Sequence, residues 1–320
     1  MAKSTKFFLI ALFLSLPVWW GVEKKLEDFF FWLEIAKNPP LSVATINPEL
    51  VEKEIKKFKP IRNWQIEDLK IEATSAIAVE IDDKDTQKVL FQKASSEVLP
   101  IASISKLMTA LVVLENHELS QIVEISKEAV ATEGESGKLK IGEIFKVQDL
   151  LYLLLMESSN DVAQALSEVN GEQAFVDLMN FEAENLGLKN TSFVNPTGLD
   201  PETAGPLNSS TVEDLVKLTS YLLKTQPLIW EILATPEFDL YSSDEVYHHK
   251  VLNNNKLLKY WPERIVGAKT GYTDKASGCI ILVLKNPNSD NLLINVILGS
   301  ADRFEEMKKL VNWLDQAYIW

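Results

Sequence analysis

Residues 100–115 read PIASISKLMTALVVLE, and this stretch decides how the rest of the chain is read. Pro100 stands before apolar residues at Ile104, Leu107, Met108, Leu111 and Leu114, a spacing of three and four that predicts a helix over 101–115 with one buried face. Ser103 and Lys106 lie three apart on that helix, so hydroxyl and amine share a face and can touch. Ser103 falls in the first turn, where unpaired amides and the helix dipole favour developing negative charge. A serine hydroxyl is a weak nucleophile until a neighbouring base takes its proton, and a lysine of lowered pKa can be that base. Ser-x-x-Lys alone is a weak signal, since both residue types are common.

Two further short motifs lie downstream. Ser158-Ser159-Asn160 follows the apolar run LLYLLLME, and read by itself it caps a helix starting at Asp161. Lys269-Thr270-Gly271 follows Val266–Ala268, which reads as a strand; by itself it is a turn or an exposed strand end. The order Ser-x-x-Lys, Ser-x-Asn, Lys-Thr-Gly, with the first on a helix and the last on a strand, is far more specific than any member.

The surrounding pattern supplies a fold. Residues 76–80 and 89–92 are short apolar segments around a polar turn, a hairpin. Helices are expected at 147–156, 161–168, 173–186 and from 211, with a loop rich in Asn, Pro, Thr and Gly over 190–210. Residues 278–285 and 292–299 read as strands joined by NPNSDN, and 303–318 closes the chain as a helix. Strands at both ends with helices between predict an α+β fold: an antiparallel sheet built from both ends of the domain, with a mostly helical subdomain inserted.

Composition narrows the function. Of 320 residues, 46% are hydrophobic and 24% charged, which is globular and excludes wholesale disorder. Net charge is −14, and a surface that acidic repels phosphate backbones, so no nucleic-acid partner is expected. A single cysteine, Cys279, excludes an internal disulfide and a Cys-based zinc site. Three scattered histidines, His117, His248 and His249, do not make a three-histidine metal cage, so neither metal nor other cofactor is expected.

The N-terminus reads as an address. Lys3 and Lys6 precede an uncharged run from Phe7 to Val22, followed by Glu23, Lys24 and Lys25. Cleavage needs small residues at alternating positions; Gly21 fits, Trp19 does not, and Trp19–Trp20 sit where an interfacial aromatic belt would lie. Residues 1–22 are therefore taken as a signal anchor with the body exported, a cleaved signal peptide being the alternative. Residues 23–72 read as a membrane-proximal stalk, whose apolar cluster Phe29–Leu33 lies on the membrane surface or packs on the body. The catalytic domain is expected over 73–320.

With these motifs in place, the sequence resembles the penicillin-binding serine acyl-transferases, specifically the low-molecular-weight D-alanyl-D-alanine carboxypeptidases. The resemblance runs from about Ala76 to Leu314 and takes in Pro100–Thr109, Asn160-Asp161, FVNPTGL from Phe193 to Leu199, Lys269–Lys275, Arg303-Phe304 and Leu310–Trp313. It implies a serine β-lactamase-like fold and hydrolysis of peptidoglycan stem peptides ending in D-Ala-D-Ala, with β-lactams as covalent inhibitors. It implies that Ser103 attacks the penultimate D-Ala carbonyl, that Lys106 is the base, helped by burial and by the second cation Lys269, that Ser158 relays the proton to the leaving amine, and that Asn160 hydrogen-bonds the substrate amide. The amides of Ser103 and Tyr272 would form the oxyanion hole, a contribution of roughly 10²–10³ in rate. Thr270, beside Gly271 in the third motif, and Arg303 would hold the terminal carboxylate, for which an arginine fork is suited; the plain alternative for Arg303 is an ion pair with Asp302 or Glu305.

Other hydrolases fit less well. A class A β-lactamase needs a Glu-x-x-Leu-Asn segment that does not occur between the second and third motifs, and an α/β-hydrolase needs a Gly-x-Ser-x-Gly elbow, also missing. A membrane-anchored penicillin or muropeptide sensor keeps the same acylating residues, so sequence does not separate it from an enzyme.

Overall fold

A computed structural model describes residues 60–320 apart from 135 and 202; the expected signal anchor at 1–22 and the stalk up to residue 59 lie outside the described residues. In chain order the strands are β1 (Ile61–Arg62), β2 (Ser75–Ile81), β3 (Gln87–Lys93), β4 (Leu99–Pro100), β5 (Ile122–Glu124), β6 (Ile144–Lys146), β7 (Ser209–Ser210), β8 (Glu237–Tyr241), β9 (Tyr247–Leu252), β10 (Ile265–Thr273), β11 (Ser277–Lys285), β12 (Leu292–Ser300) and β13 (Tyr318–Ile319). The helices are α1 (Lys106–Asn116), α2 (Lys127–Val130), α3 (Val147–Tyr152), α4 (Asn160–Glu168), α5 (Glu172–Asn185), α6 (Val212–Thr225), α7 (Pro227–Ala234) and α8 (Arg303–Ala317). A 3₁₀ turn, Ala102–Ser105, leads into α1, and a π turn, Leu153–Glu157, follows α3.

The centre is an antiparallel five-stranded sheet in the order β10-β11-β12-β2-β3. Its strands alternate with period two, and both faces are covered. Ile77, Val79, Cys279, Ile281, Val283, Ile294, Val296 and Leu298 enter a large core shared with the inserted helices. Ala76, Ala78, Ile280, Leu282, Leu284, Leu293 and Ile297 enter a second core under α8. Burial on both faces is why these strands read as nearly unbroken apolar runs.

Helix α8 presents Met307, Leu310, Val311 and Leu314 to the sheet at helical spacing, and Asp302 caps it by accepting from the amides of Phe304 and Glu305. Glu306 on its inner face accepts from the amides of Glu72 at 2.6 Å and Ala73 at 3.4 Å, and from Lys309 Nζ at 2.6 Å. Burial works against its charge, but these hydrogen bonds prevail and hold its carboxyl below the ordinary glutamate range.

The two ends of the described chain meet. Ile61 pairs with Ile319 and Arg62 with Tyr318, and the Arg62 guanidinium lies 4.9 Å above the Trp313 ring. Trp313 Nε1 donates to the Glu67 carbonyl at 2.8 Å. Residues 61–72, read from sequence as the last part of a stalk, therefore pack on the body, and the expected boundary at 73 falls within this packed unit.

Local structure departs from the expected helices where chemistry is concentrated. The helix expected from 101 is split, with Ser103 on the 3₁₀ turn and α1 starting at Lys106. Pro100 belongs to β4, which pairs with β7. The helix expected over 147–156 becomes a π turn from Leu153. Helix α7 and the β8–β9 hairpin lie outside the expected elements, while β10 runs through Lys269–Gly271, the strand placement expected for the third motif.

Candidate active site

Three elements supply the motif residues. The 3₁₀ turn and first turn of α1 carry Ser103 and Lys106. The break after the π turn carries Ser158, α4 begins with Asn160, and β10 carries Lys269, Thr270, Gly271 and Tyr272.

Lys106 is fully buried, and burying an amine that far requires hydrogen-bond partners. Its Nζ lies 3.0 Å from Ser103 Oγ, 2.7 Å from Asn160 Oδ1 and 2.6 Å from the Thr197 carbonyl. Asn160 and Thr197 offer oxygens that only accept. Ser103 Oγ is the one of the three that can also donate, so it is the partner through which a proton can pass to or from the amine. Asn160 is itself oriented by Nδ2 donating to the Glu133 carbonyl at 2.9 Å.

The second motif serves as both cap and site. Ser159 caps α4, its hydroxyl accepting from the Val162 amide at 3.2 Å. Ser158 takes a left-handed backbone, φ 63°, which is uncommon for a residue with a side chain and marks a locally held turn. That turn brings Ser158 Oγ to 2.7 Å from Lys269 Nζ, and Lys269 also donates to the Thr270 carbonyl at 2.9 Å. Asp161 braces the turn from behind, accepting from the Gly137 amide, the Ser136 hydroxyl and Ser159 Oγ.

Two glycines allow backbones to close around Ser103. A Cβ on Gly271 would stand 3.0 Å from the Ser103 nitrogen, so its absence lets β10 pass beside that amide. A Cβ on Gly198, where φ is +83°, would fall 2.1 Å from the Ala102 carbonyl oxygen, so no other residue fits there. The loop holding Gly198 is shaped by two asparagines. Asn195 Oδ1 accepts from the amides of Thr197 and Gly198, and Asn208 Oδ1 accepts from those of Val194 and Asn195. Asp200 extends this grip to the β10–β11 turn through Thr273 Oγ1 at 2.9 Å.

Thr270 Oγ1 donates to Asn254 Oδ1 at 2.9 Å. Tyr272 is 59% exposed, the side chain of this group most open to a ligand. The Arg303 guanidinium lies 5.9 Å from the Tyr272 ring and 4.8 Å from that of Phe304. Among the described residues no cluster of His, Cys, Asp or Glu suited to a metal occurs.

Ser103, Lys106 and Asn160 thus form one hydrogen-bonded group and Ser158 and Lys269 another, joined through the single turn 158–160, with Gly271 against the Ser103 amide. The roles of Thr197, Asn208, Asp200 and Asn254 escape sequence reading. Thr197 acts through a main-chain carbonyl, which any residue provides, and the others are asparagines and an aspartate in loops already rich in them. Asn195 and Gly198 stood inside the recognised FVNPTGL stretch but without an assigned part.

The chain is also similar to known proteins. A family model described as D-alanyl-D-alanine carboxypeptidase matches residues 62–302. A D-alanyl-D-alanine endopeptidase of Pseudomonas aeruginosa is 33% identical over 244 residues, 75% of this chain and 77% of that protein. The D-alanyl-D-alanine carboxypeptidase DacF of Bacillus subtilis is 34% identical over 254 residues, covering 77% of this chain but 62% of DacF. The ampicillin-bound crystal structure of penicillin-binding protein D2 from Listeria monocytogenes superposes with a TM-score of 0.66 at 28% identity, over 77% of this chain and 99% of that one. With the motif residues gathered as they are, and a family match across most of its length, the chain belongs to the D-alanyl-D-alanine carboxypeptidase family of serine peptidases.

Proposed function

We propose that this enzyme releases the terminal D-Ala from peptidoglycan stem peptides through an acyl-enzyme on Ser103. The observation that carries the reading is the buried Lys106 amine, 3.0 Å from the Ser103 hydroxyl and held in place by Asn160 Oδ1 and the Thr197 carbonyl.

Ser103 Oγ attacks the carbonyl of the penultimate D-Ala as Lys106 takes its proton. Negative charge develops on the former carbonyl oxygen, and the amides of Ser103 and Tyr272 receive it; the missing Cβ at Gly271 keeps that approach open. Collapse of the intermediate breaks the peptide bond and expels the terminal D-Ala, whose amine takes the proton from Lys106 by way of Ser158, itself held by Lys269. Water then hydrolyses the ester and regenerates Ser103. Asn160 keeps Lys106 aimed, and its Nδ2 turns to the substrate amide by exchanging the Glu133 carbonyl for it. Thr270 and Arg303 hold the terminal carboxylate. A β-lactam enters the same way, but its leaving group stays tethered after ring opening, so the adduct persists.

The direct test is D-Ala release from a D-Ala-D-Ala peptide by purified protein. Covalent penicillin labelling without any release would favour the sensor instead. Arg303 separates peptide from antibiotic recognition. Arg303→Ala should lower carboxypeptidase kcat/KM by about 10–100-fold, the loss of one charge-assisted carboxylate contact, with a smaller effect on penicillin acylation. Unchanged turnover would remove Arg303 from the site.

The family is one of cell-wall enzymes, so the site works outside the cytoplasm. The apolar, tryptophan-ended run Phe7–Val22 supports tethering to the membrane there. Full-length protein should sediment with membranes after a high-salt wash, whereas a mature form lacking residues 1–21 would show a cleaved signal.

A further inference from the structure

His248 and His249 are neighbours on β9, and in a regular strand such side chains point to opposite faces. Here they converge, with His248 Nδ1 2.6 Å from His249 Nδ1. The cause is a bulge. Tyr241 pairs with Tyr247 and Leu240 with His249, so His248 is the extra residue with no cross-strand partner, and its side chain is re-aimed. Each ring presents its other nitrogen to a carboxylate: His248 Nε2 is 3.3 Å from Glu143 Oε2, and His249 Nε2 is 3.4 Å from Glu157 Oε2. The Phe145 ring packs edge-on against His248 at 5.6 Å. The four polar side chains form one largely buried row, Glu143–His248–His249–Glu157.

The chemistry of the groups fixes the proton count between the two rings. Carboxylates accept, so His249 Nε2 donates to Glu157, while Glu143 faces His248 Nε2 at ion-pair distance. Two Nδ1 atoms at hydrogen-bond distance need one proton between them; without it two lone pairs oppose, and with a second two N–H groups oppose. The pair is satisfied with a single proton between its two Nδ1 atoms.

One end of the row reaches the active site. Glu157 immediately precedes Ser158, whose left-handed turn sets its hydroxyl on Lys269. Glu157 Oε1 also accepts from the Leu252 amide at 3.3 Å, and the Asn254 amide donates to the Met156 carbonyl at 3.0 Å. Strand β9 and its extension therefore grip residues 156–157 on one side while Asn254 holds Thr270 on the other.

We propose that His248 and His249 form a single-proton clasp that positions Ser158 through Glu157, making acylation depend on protonation of a site that never touches substrate. This rests on the role assigned to Ser158 above. The charged and titratable neighbours come from every element around the pair: Lys138, Lys140 and Glu143 from the loop before β6, Asp244 and Tyr247 from the hairpin, and Glu157 from the π turn. Burial lowers the His249 pKa, and Lys138 and His248 act the same way while Glu157 opposes them, so added positive charge on that ring is disfavoured. As pH falls, that second proton is forced on, the facing Nδ1–H groups repel, and the clasp opens.

Selective ¹⁵N-histidine labelling of the full-length protein tests the clasp, with His117 as the internal reference in a chain of three histidines. The His248 and His249 rings should titrate in two coupled steps at least about one pH unit apart, and His248→Gln should reduce His249 to one step while His117 stays unmoved. Independent single steps for both rings in the unmodified protein would overturn the proposal, whether or not the enzyme is active. Penicillin acylation followed against pH supplies the second arm. Glu157→Gln and His249→Gln should each slow it by about tenfold, with the double variant no slower than either single one. His249→Gln should also move the acid limb by at least about half a pH unit. Additive losses, or an acid limb that stays in place, would leave the pair merely structural. Unmodified protein that cannot be acylated at all would instead sink the reading of the catalytic residues, while the NMR titration still decides whether a proton is shared.

Discussion

Ser103→Ala is expected to abolish covalent labelling by fluorescent penicillin and to lower D-Ala release by on the order of 10⁴-fold or more, because removing a nucleophile removes the covalent route itself. The fold should survive. Ser103 is only partly buried, and the lost hydroxyl gives up one contact of Lys106 while Asn160 and Thr197 keep theirs. An unchanged melting temperature beside absent labelling would therefore assign the loss to chemistry. Ser105, two residues on, cannot substitute: it is buried, and its hydroxyl donates to the Ala102 carbonyl at 2.7 Å. Persistent labelling of Ser103→Ala would mean that another residue is the nucleophile.

Lys106→Met should come close behind, slowing acylation by about 10²–10⁴-fold as expected for losing a general base. Methionine approximates the aliphatic stem, so the cavity stays filled, but Asn160 Oδ1 and the Thr197 carbonyl lose a buried donor. That defect should lower stability by about 1–3 kcal/mol, the usual cost of leaving buried acceptors unsatisfied. Single-turnover acylation with thermal melts separates the two effects. If acylation by Lys106→Met stayed within a few-fold of the unmodified rate, the base would have to be sought elsewhere.

The contrast between these residues and the hairpin explains what could be read in advance. Ser103 and Lys106 were legible because a three-residue spacing puts them on one face whether the turn is α or 3₁₀, so the mistaken helix start did no harm. The central strands were legible because burial on both faces writes itself as GCIILVLK and LLINVILG. The run LLYLLLME was read as plain helix because it is apolar all round; without a polar stripe nothing in it distinguishes α from π winding, yet that winding delivers Ser158 in its left-handed turn. Strands β8 and β9, EFDLY and YHHKVL, expose most of their side chains and bury only Leu240 and Val251, so no alternating apolar pattern announced them. With the hairpin unseen, the convergence of His248 and His249 was out of reach, since their meeting depends on a bulge set by the partner strand. Thr197 was invisible for a different reason, its contribution being a main-chain oxygen.

Peptide mapping by mass spectrometry of the full-length protein, quenched after brief exposure to benzylpenicillin, puts the most direct question to this account. It should find one penicilloyl group, carried by the peptide spanning the 3₁₀ turn and fragmenting to residue 103. An adduct on Ser158, Ser159 or a lysine, or a protein mass unaltered by the antibiotic, would contradict it.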